Sequence, residues 1–437
     1  MLSRLSVFVF AVIGALGCSG EPEVVVPTST DFGLEPTSAK GDGAFEQAAA
    51  YWSKMEVPDT LAVLGDGSND ASTLTRTVVA NANDGLAYPR DMAFNPNNPG
   101  QLWIVNTASE SVTIVQHVGS PYRESRDVRS EGSSHFHARP AAIAWGANNS
   151  FATIHETDEM TQGPYGSPGD FMGPTLQSAD LDTFDAGHGS HIDMLHNTPL
   201  GMGIAWQSAN IFWVFDGAHS SLTRYDFRKD HGKGGSDHRD GIVLRFAEGL
   251  VRRAPGIPSH MEVHQETGLL YVADTGNSRV LALDTTRGTV GDPIFPNYDG
   301  SQQYMVKGAD VRMVVDGKDY GIERPSGLAI HNDVLYIGDH ATNRLFGFTL
   351  HGDLIDYVQL PISEGGMMGI EFDAYGALYV ADARANEVVR FRPPNHAHDY
   401  ANRSYDINEY ESNSRIPRYD PNGEHCNDPS HAHGDTE

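Results

Sequence analysis

The stretch that decides the fold is GLLYVADTGNSRVLALD at residues 268–284, an apolar strand ending in Asp, a polar turn and a second apolar strand. Four more copies and one degenerate copy occur in the chain, at residues 101–115, 210–227, 334–348, 377–391 and, for the degenerate one, 139–156. Each follows a short apolar run that usually opens on Pro or Gly. Alternating apolar strands repeated every roughly 40 to 50 residues are the signature of a β-propeller. We therefore predict an all-β, six-bladed propeller.

The repeats resemble the NHL family, whose pattern runs Pro-x-Gly-apolar-Ala and then apolar-Tyr-Val-Ala-Asp-x-x-Asn-x-Arg-apolar. Two copies match it best, through Asp274, Asn277 and Arg279 in one and Asp339, Asn343 and Arg344 in the other. The resemblance covers residues 75–395 and implies the fold rather than an activity.

The N-terminus has the features of an exported protein. Residues 1–17 carry one Arg and the apolar run VFVFAVIGAL, which is too short to span a membrane and predicts a signal peptide. The following ALGC resembles a bacterial lipobox with Ala15 in place of the usual Leu, so Cys18 is expected to be lipidated and to anchor the protein in a membrane. Ser19, by the sorting rule of Gram-negative bacteria, implies an outer-membrane lipoprotein. The alternative is a plain signal peptide and a secreted protein.

Composition divides the remaining chain into four parts. These are a lipid-anchored flexible linker at 18–43, a helix and connector at 44–73, the propeller at 74–394 and a polar, His-containing tail at 395–437. The tail is predicted to be disordered, and its HCNDPSHAH motif is a separate candidate for binding zinc or copper. A strand near residues 74–80 has no partner in the first repeat, and the last repeat lacks an outer strand. We therefore expect the N-terminal strand to complete the last blade.

Charge and cysteine content limit the possible partners. The chain has 437 residues, with 30 Lys and Arg against 58 Asp and Glu, a net charge of −28. A polyanion such as nucleic acid would be repelled at long range, so nucleic acid is not expected as a partner. With Cys18 lipidated, Cys426 is left alone and no intramolecular disulfide is expected. We expect a monomer that binds a small molecule or a peptide.

Histidines are concentrated on one face of the predicted ring. In a four-stranded blade, the connector entering the inner strand and the connector between strands two and three lie on the same face, and nine of the 20 histidines map there. Imidazoles are the usual ligands of zinc and copper. The candidate metal ligands, taken from different blades, are His137, His155, His191, His196, His260 and His340. Arg90 and Asp91 open blade one at the same mouth, and with His260 they are the candidate catalytic residues.

Carboxylates in the turns have other expected roles. The residues that end the second strand of four blades are predicted to accept backbone N–H bonds in the next turn, and they are Asp216, Asp274, Asp339 and Asp382. The stretch DGSND at 66–70 has the oxygen-rich composition of a calcium loop without its full spacing, so calcium is a further candidate ligand.

Six NHL-type blades with histidines at the mouth are similar to the peptidyl-hydroxyglycine amidating lyase family of metal-dependent propellers. In that family the ligands directly follow a blade-opening Pro. Here those positions hold Arg90, Ala141, Leu200, Ser259 and Ser326, with His260 one residue later than the pattern requires. The resemblance implies a metal-dependent lyase or hydrolase acting on a small molecule or peptide. The alternative is a non-catalytic surface lipoprotein that binds a peptide, a glycan or a protein partner.

Overall fold

The computed structural model describes residues 27–36, 43–129, 136–161, 170–184 and 191–393. Within them, six sheets form the blades of the predicted six-bladed β-propeller. Blade one consists of β2 (Pro89–Asn95), β3 (Asn98–Asn106), β4 (Ser111–Gln116) and β5 (Glu124–Val128). Blade two consists of β6 (Pro140–Trp145), β7 (Ser150–His155), β10 (Thr175–Ser178) and β11 (His191–Met194), with a small hairpin of β8 (Met160–Thr161) and β9 (Asp170–Phe171) beside it.

The remaining blades follow in chain order. Blade three consists of β12 (Gly201–Ser208), β13 (Ile211–Asp216), β14 (Ser221–Asp226) and β15 (Ile242–Phe246), extended by β19 (Thr289–Pro293) and β20 (Gln302–Lys307). Blade four consists of β16 (Met261–His264), β17 (Leu269–Asp274), β18 (Arg279–Asp284) and β21 (Val311–Asp316). Blade five consists of β22 (Pro325–His331), β23 (Val334–Asp339), β24 (Arg344–Thr349) and β25 (Leu354–Gln359). Blade six consists of β26 (Met367–Phe372), β27 (Leu378–Asp382), β28 (Glu387–Arg392) and β1 (Thr75–Ala80).

The ring closes through its first strand. β1 pairs antiparallel with β28, from Thr75 opposite Arg392 to Ala80 opposite Val388, which confirms that the N-terminal strand completes the last blade. The inner strands β2, β6, β12, β16, β22 and β26 contact one another in turn and back to β2. Blades one and four therefore stand opposite each other across the axis.

The helices in the described residues are short. They are α1 (Ala44–Trp52), α2 (Leu181–Phe184) and α3 (Gly317–Tyr320), with 3₁₀ turns at Ser29–Phe32, Ala62–Leu64, Ala71–Thr73, Ala82–Asp84 and Thr275–Asn277. α1 is the expected N-terminal helix, and its Phe45 and Ala48 are buried in the core cluster of blades four and five. No helix in the described ranges is long and apolar enough to cross a membrane.

Part of the segment expected to be a flexible linker is packed on the propeller. Residues 27–36 place Phe32 and Leu34 in the core cluster of blades three and four, and the N–H of Glu35 donates to the carbonyl of Thr286 at 2.8 Å. Burying these two apolar side chains holds an otherwise polar stretch in place. The signal peptide, Cys18 and the tail from 395 onwards lie outside the described residues.

The four turn aspartates are buried and accept several hydrogen bonds each. Asp274 accepts from the backbone N–H of Arg252 at 2.7 Å, from Nδ2 of Asn277 and from Nε of Arg279. Asp216 accepts from the N–H groups of Ala218 and His219, Asp339 from those of Glu323 and Arg324, and Asp382 from those of Ser363 and Ala385. Each carboxylate thus ties the turn that follows it, or the segment entering its blade, to the second strand.

Replacing Asp274 by Ala should lower the free energy of unfolding by about 2 kcal/mol, because three donors lose a charged acceptor. Chemical denaturation would measure the loss. Asp237→Ala is the matched control, since Asp237 pairs with Arg239 on the surface and its removal should leave stability unchanged within error. Equal effects of the two substitutions would contradict a structural role for the turn aspartate.

Candidate functional site at the propeller mouth

The inner strands place equivalent residues side by side around the axis. When the repeats are aligned, one position at the start of the inner strands holds Asp91 in blade one and His260, the residue directly before β16, in blade four. The other four blades have Ala142, Gly203, Gly327 and Gly369. These small residues allow close approach: a Cβ on Gly369 would lie 2.7 Å from Oδ1 of Asp91, and one on Gly203 would collide with the carbonyl of Ser259. The small residues leave the space at the axis to Asp91 and His260.

Asp91 and His260 meet although they belong to opposite blades. Oδ2 of Asp91 lies 3.6 Å from Nε2 of His260, and both side chains are buried. Burial raises the pKa of Asp91 to about 8, although hydrogen bonds from the N–H groups of Met92 and Ile143 act in the opposite direction. Burial lowers the pKa of His260 to about 4, helped by the charge of Arg90. At neutral pH the pair is therefore a protonated carboxyl beside a neutral imidazole, too far apart to hydrogen-bond.

Two further acids line the same face of the inner strands. Successive side chains of an extended chain alternate between faces, so Glu262 lies on the same face as His260, which directly precedes β16, and Glu371 on the face of β26 that carries Gly369. Burial raises the pKa of each to about 8, and the negative charge of Glu371 contributes to the rise at Glu262. Each accepts one backbone hydrogen bond.

Neither acid was among the site residues predicted from the sequence. The equivalent positions in the other blades hold Ala93, Ala144, Ala205 and Ala329. A Glu in two copies where four copies have Ala is the signal that a column-by-column comparison of the repeats would have revealed.

A single carboxylate, Glu156, receives three guanidinium groups at the mouth. Nη1 of Arg90 lies 2.6 Å from Oε2 of Glu156, and Nη1 of Arg253 lies 3.1 Å from Oε1. Nη2 of Arg139 is 3.8 Å from Oε2, and the N–H of Gly256 donates to Oε1 at 2.9 Å. Arg90 and Glu156 are buried, whereas the side chain of Arg253 is 25% exposed and that of Arg139 is 57% exposed.

Glu156 was also missed, and blade two departs from the repeat at this point. His155 ends β7, where four of the other blades carry the turn Asp and blade one carries Asn106. Glu156 follows at once. Blade two thus lacks the turn carboxylate at its usual position. The carboxylate of the next residue, Glu156, contacts the arginines instead.

The six candidate metal ligands lie in separate places. His137 and His155 pack edge to face in blade two with ring centroids 6.1 Å apart, His260 lies at the axis, and Nδ1 of His340 contacts the carbonyl of Met367 at 2.8 Å. Burial lowers the pKa of His340.

His191 and His196 lie at the rim instead of the mouth. His191 opens β11, the outermost strand of blade two, and His196 follows shortly after that strand. Ring contacts join His191 to His231 and His196 to His238. Within the described ranges, the one group of at least three His, Cys, Asp or Glu residues whose ligand atoms all lie within 4.8 Å of one another is Asp193, His231 and His238. The expectation that His191 and His196 lie at the mouth is thus corrected, because an outer strand is the part of a blade farthest from the axis.

The carboxylates of the candidate calcium loop accept hydrogen bonds from nearby backbone N–H groups. Oδ1 of Asp66 accepts from the N–H of Ser68 at 3.0 Å, and Oδ1 of Asp70 accepts from the N–H of Ser72 at 2.6 Å. Both carboxylates thus cap the local backbone two residues on.

A polar depression lies between blades three and four. Its volume is about 670 Å³, within the range of small-molecule sites. Basic side chains among its lining residues are Arg252, Arg279 and Lys318. Arg279 is already bound to Asp274 and to the carbonyl of Leu250, whereas Arg252 and Lys318 are exposed.

The solved structures that are similar to this chain are distant from it in sequence. No family model and no curated protein matches the chain, so the resemblance to NHL repeats and to the amidating lyase stays a prediction. An auxiliary nutrient binding protein from Bacteroides ovatus is 12% identical, with 73% of this chain and 76% of that one covered and a TM-score of 0.46. A protein of unknown function from Bacteroides thetaiotaomicron is 11% identical over 73% and 76%, with a TM-score of 0.49. A streptogramin B lyase is 9% identical over 73% and 97%, with a TM-score of 0.43.

Proposed function

We propose that the mouth of this propeller binds the anionic group of a small molecule or peptide. The observation that carries this proposal is the convergence of Arg90, Arg139 and Arg253 on the single carboxylate of Glu156. Three guanidinium groups around one carboxylate leave an excess of positive charge. Asp91, the nearby acid, is protonated at neutral pH and does not balance this positive charge. The mouth therefore presents a local positive charge in a chain whose net charge is −28.

A carboxylate or phosphate matches the donors that are left. The buried Nε of Arg90 makes no hydrogen bond within the described part of the chain, and Arg253 and Arg139 reach solvent. Guanidinium groups bind carboxylates and phosphates through paired, charge-assisted hydrogen bonds.

Calorimetric titration tests the proposal. The probes are a short peptide with a free C-terminal carboxylate, the same peptide amidated, and inorganic phosphate. We expect the carboxylate peptide or phosphate to bind, the amide to bind more weakly, and Arg253→Gln to weaken binding at least about tenfold, which is 1.4 kcal/mol. Arg239→Gln, a surface substitution, is the control. Binding that is equal for peptide and amide, or unchanged in Arg253→Gln, would contradict the proposal.

Acid–base chemistry by Asp91 and His260 is a second candidate function, in line with the expected lyase or hydrolase. The supporting observation is the opposite displacement of their two pKa values at a separation of 3.6 Å, a pattern found where an acid and a base divide the work. His260→Gln should abolish conversion of a peptide mixture, followed by mass spectrometry, while leaving binding of the anionic group intact. Conversion that persists in this variant would exclude His260 as the base.

The envelope location is part of the proposal. The lipobox-like ALGC supports lipid attachment at Cys18 and an outer-membrane position. Mass spectrometry of the N-terminal peptide from membranes would detect the lipid, and Cys18→Ala should move the protein to the soluble fraction. An unmodified N-terminus beyond residue 18 would show a plain secreted protein instead. That result would leave the proposal of anion binding at the mouth untouched.

A further inference from the structure

A second group of ionisable side chains lies at the rim, between blades two and three. Asp193 belongs to β11 of blade two, and His231 and His238 belong to the loop that joins β14 to β15 of blade three. Oδ1 of Asp193 lies 2.9 Å from Nδ1 of His238 and 3.9 Å from Nε2 of His231. The exposed fraction of the side chain is 1% for Asp193, 13% for His238 and 3% for His231. Three donor atoms thus meet in a nearly closed space.

The hydrogen bonds of His231 fix which of its nitrogens is available. Nδ1 lies 2.6 Å from the carbonyl oxygen of Gly232, which can only accept, so Nδ1 carries the proton. Nε2 is buried and has no hydrogen-bond partner among the described residues. In a neutral ring its lone pair faces the oxygen of Asp193, an arrangement that a cation between them would make favourable.

The loop is shaped to bring both histidines to one carboxylate. Gly232 and Gly234 adopt left-handed backbone angles, with φ of 70° and 75°, which other residues rarely adopt. A Cβ on Gly235 would lie 2.6 Å from the carbonyl of His231. The N–H of Lys229 donates to Asp240 and so ties the two ends of the loop together.

We propose that Asp193, His231 and His238 bind a divalent transition-metal ion, with zinc the best match, and that the ion clamps the blade-three loop onto blade two. Zinc bonds of 2.0 to 2.1 Å in a tetrahedron separate the donor atoms by about 3.4 Å, a value between the two distances given above. Two imidazoles and one carboxylate leave a position for water.

A neighbouring pair extends the polar surroundings of this site. Nδ1 of His196 lies 2.8 Å from Oδ2 of Asp299, and the ring of His196 is edge-on to that of His238 with centroids 5.8 Å apart. The site shares no residue with the anion-binding mouth, so either proposal can fail alone.

Zinc content of the full-length protein tests the proposal, with zinc and cobalt(II) as the probes. The protein is stripped with chelator, reloaded with one probe and dialysed, and bound metal is counted. We expect His231→Gln/His238→Gln to lose one tightly bound zinc ion and the tetrahedral cobalt absorption bands. The His-containing tail adds the same background to every variant. His219→Gln is the matched control, because His219 also pairs with a buried Asp, at 2.7 Å, but lies outside the only described group of three donors.

Folding is checked separately by circular dichroism in chelator. If the double variant is unfolded, Asp193→Asn and the half-buried His238→Gln, made singly, replace it, each with an expected loss of affinity of at least tenfold. Zinc content and cobalt spectra that match the wild type in a folded variant would overturn the proposal. Equal loss in His219→Gln would do the same.

Discussion

Replacing Glu156 by Gln is expected to lower the free energy of unfolding by about 3 kcal/mol, since removing one partner of a buried ion pair leaves an uncompensated charge. The charge left behind is that of Arg90, whose side chain is 3% exposed and whose Nη1 lies 2.6 Å from Glu156. A Gln side chain keeps an acceptor for the N–H of Gly256 and nearly the same volume, so the loss measures charge rather than packing. Thermal and chemical denaturation at low ionic strength would measure it.

Added anion should reverse part of this loss. With Glu156 neutral, the three arginines face one another without a carboxylate, so inorganic phosphate should raise the unfolding midpoint of Glu156→Gln more than that of the wild type. Glu248→Gln is the control, because Glu248 is 47% exposed and lies 3.8 Å from its arginine partner. A Glu156→Gln variant that is as stable as the wild type, and whose unfolding midpoint does not change with phosphate, would contradict the view that the mouth holds excess positive charge.

Glu262→Gln and Glu371→Gln are expected to stabilise the protein increasingly as the pH rises. The folded-state pKa of each carboxyl is about 8, above the ordinary value of 4.5. Between these values the folded state holds protons that the unfolded state has released, so wild-type stability declines as the pH rises from about 4.5 to about 8. A Gln does not titrate and escapes this decline. At pH 9 each variant should exceed the wild type by more than about 1.4 kcal/mol, the equivalent of one pKa unit.

Denaturation curves at pH 7 and pH 9 isolate this effect. His137 and His260 have folded pKa values of about 4, below the ordinary 6.5, so their stability contribution is lost as the pH falls below about 6.5 and is constant above it. Glu387→Gln, which removes a partly exposed pair with Arg76, is the control and should show no such pH dependence. If the free energy of unfolding changes equally between pH 7 and pH 9 in the wild type and in all variants, the two axial carboxyls are ionised and solvated.

The repeat made the fold predictable from the sequence. Strands with period-two apolar patterning and a turn Asp recur in register, so blade number and the closing role of β1 follow from counting strands. Arg90, Asp91 and His260 were found because they stand at fixed positions of that repeat. Asp91 and His260 meet because blades one and four are opposite in a ring of six.

The remaining site residues depend on packing that the pattern does not describe. Glu156, Glu262 and Glu371 fill positions where other blades have small, apolar or neutral residues, and their roles appear only when the strands are brought around one axis. His191 and His196 were misplaced because the long insertion in blade two does not reveal which of its segments forms the outer strand. Their partners His231 and His238 come from a different blade, across a contact between blades that spacing along the chain cannot predict.

Anomalous scattering from crystals soaked in sodium selenate tests the central claim, anion binding at the mouth, most directly. Selenium marks the position of the anion without reference to any substrate. We predict a peak whose oxygens lie within about 3 Å of the guanidinium groups of Arg253 and Arg139, and its loss in Arg253→Gln. Selenate bound only beside exposed cations such as Lys307, with none at the mouth, would contradict the account.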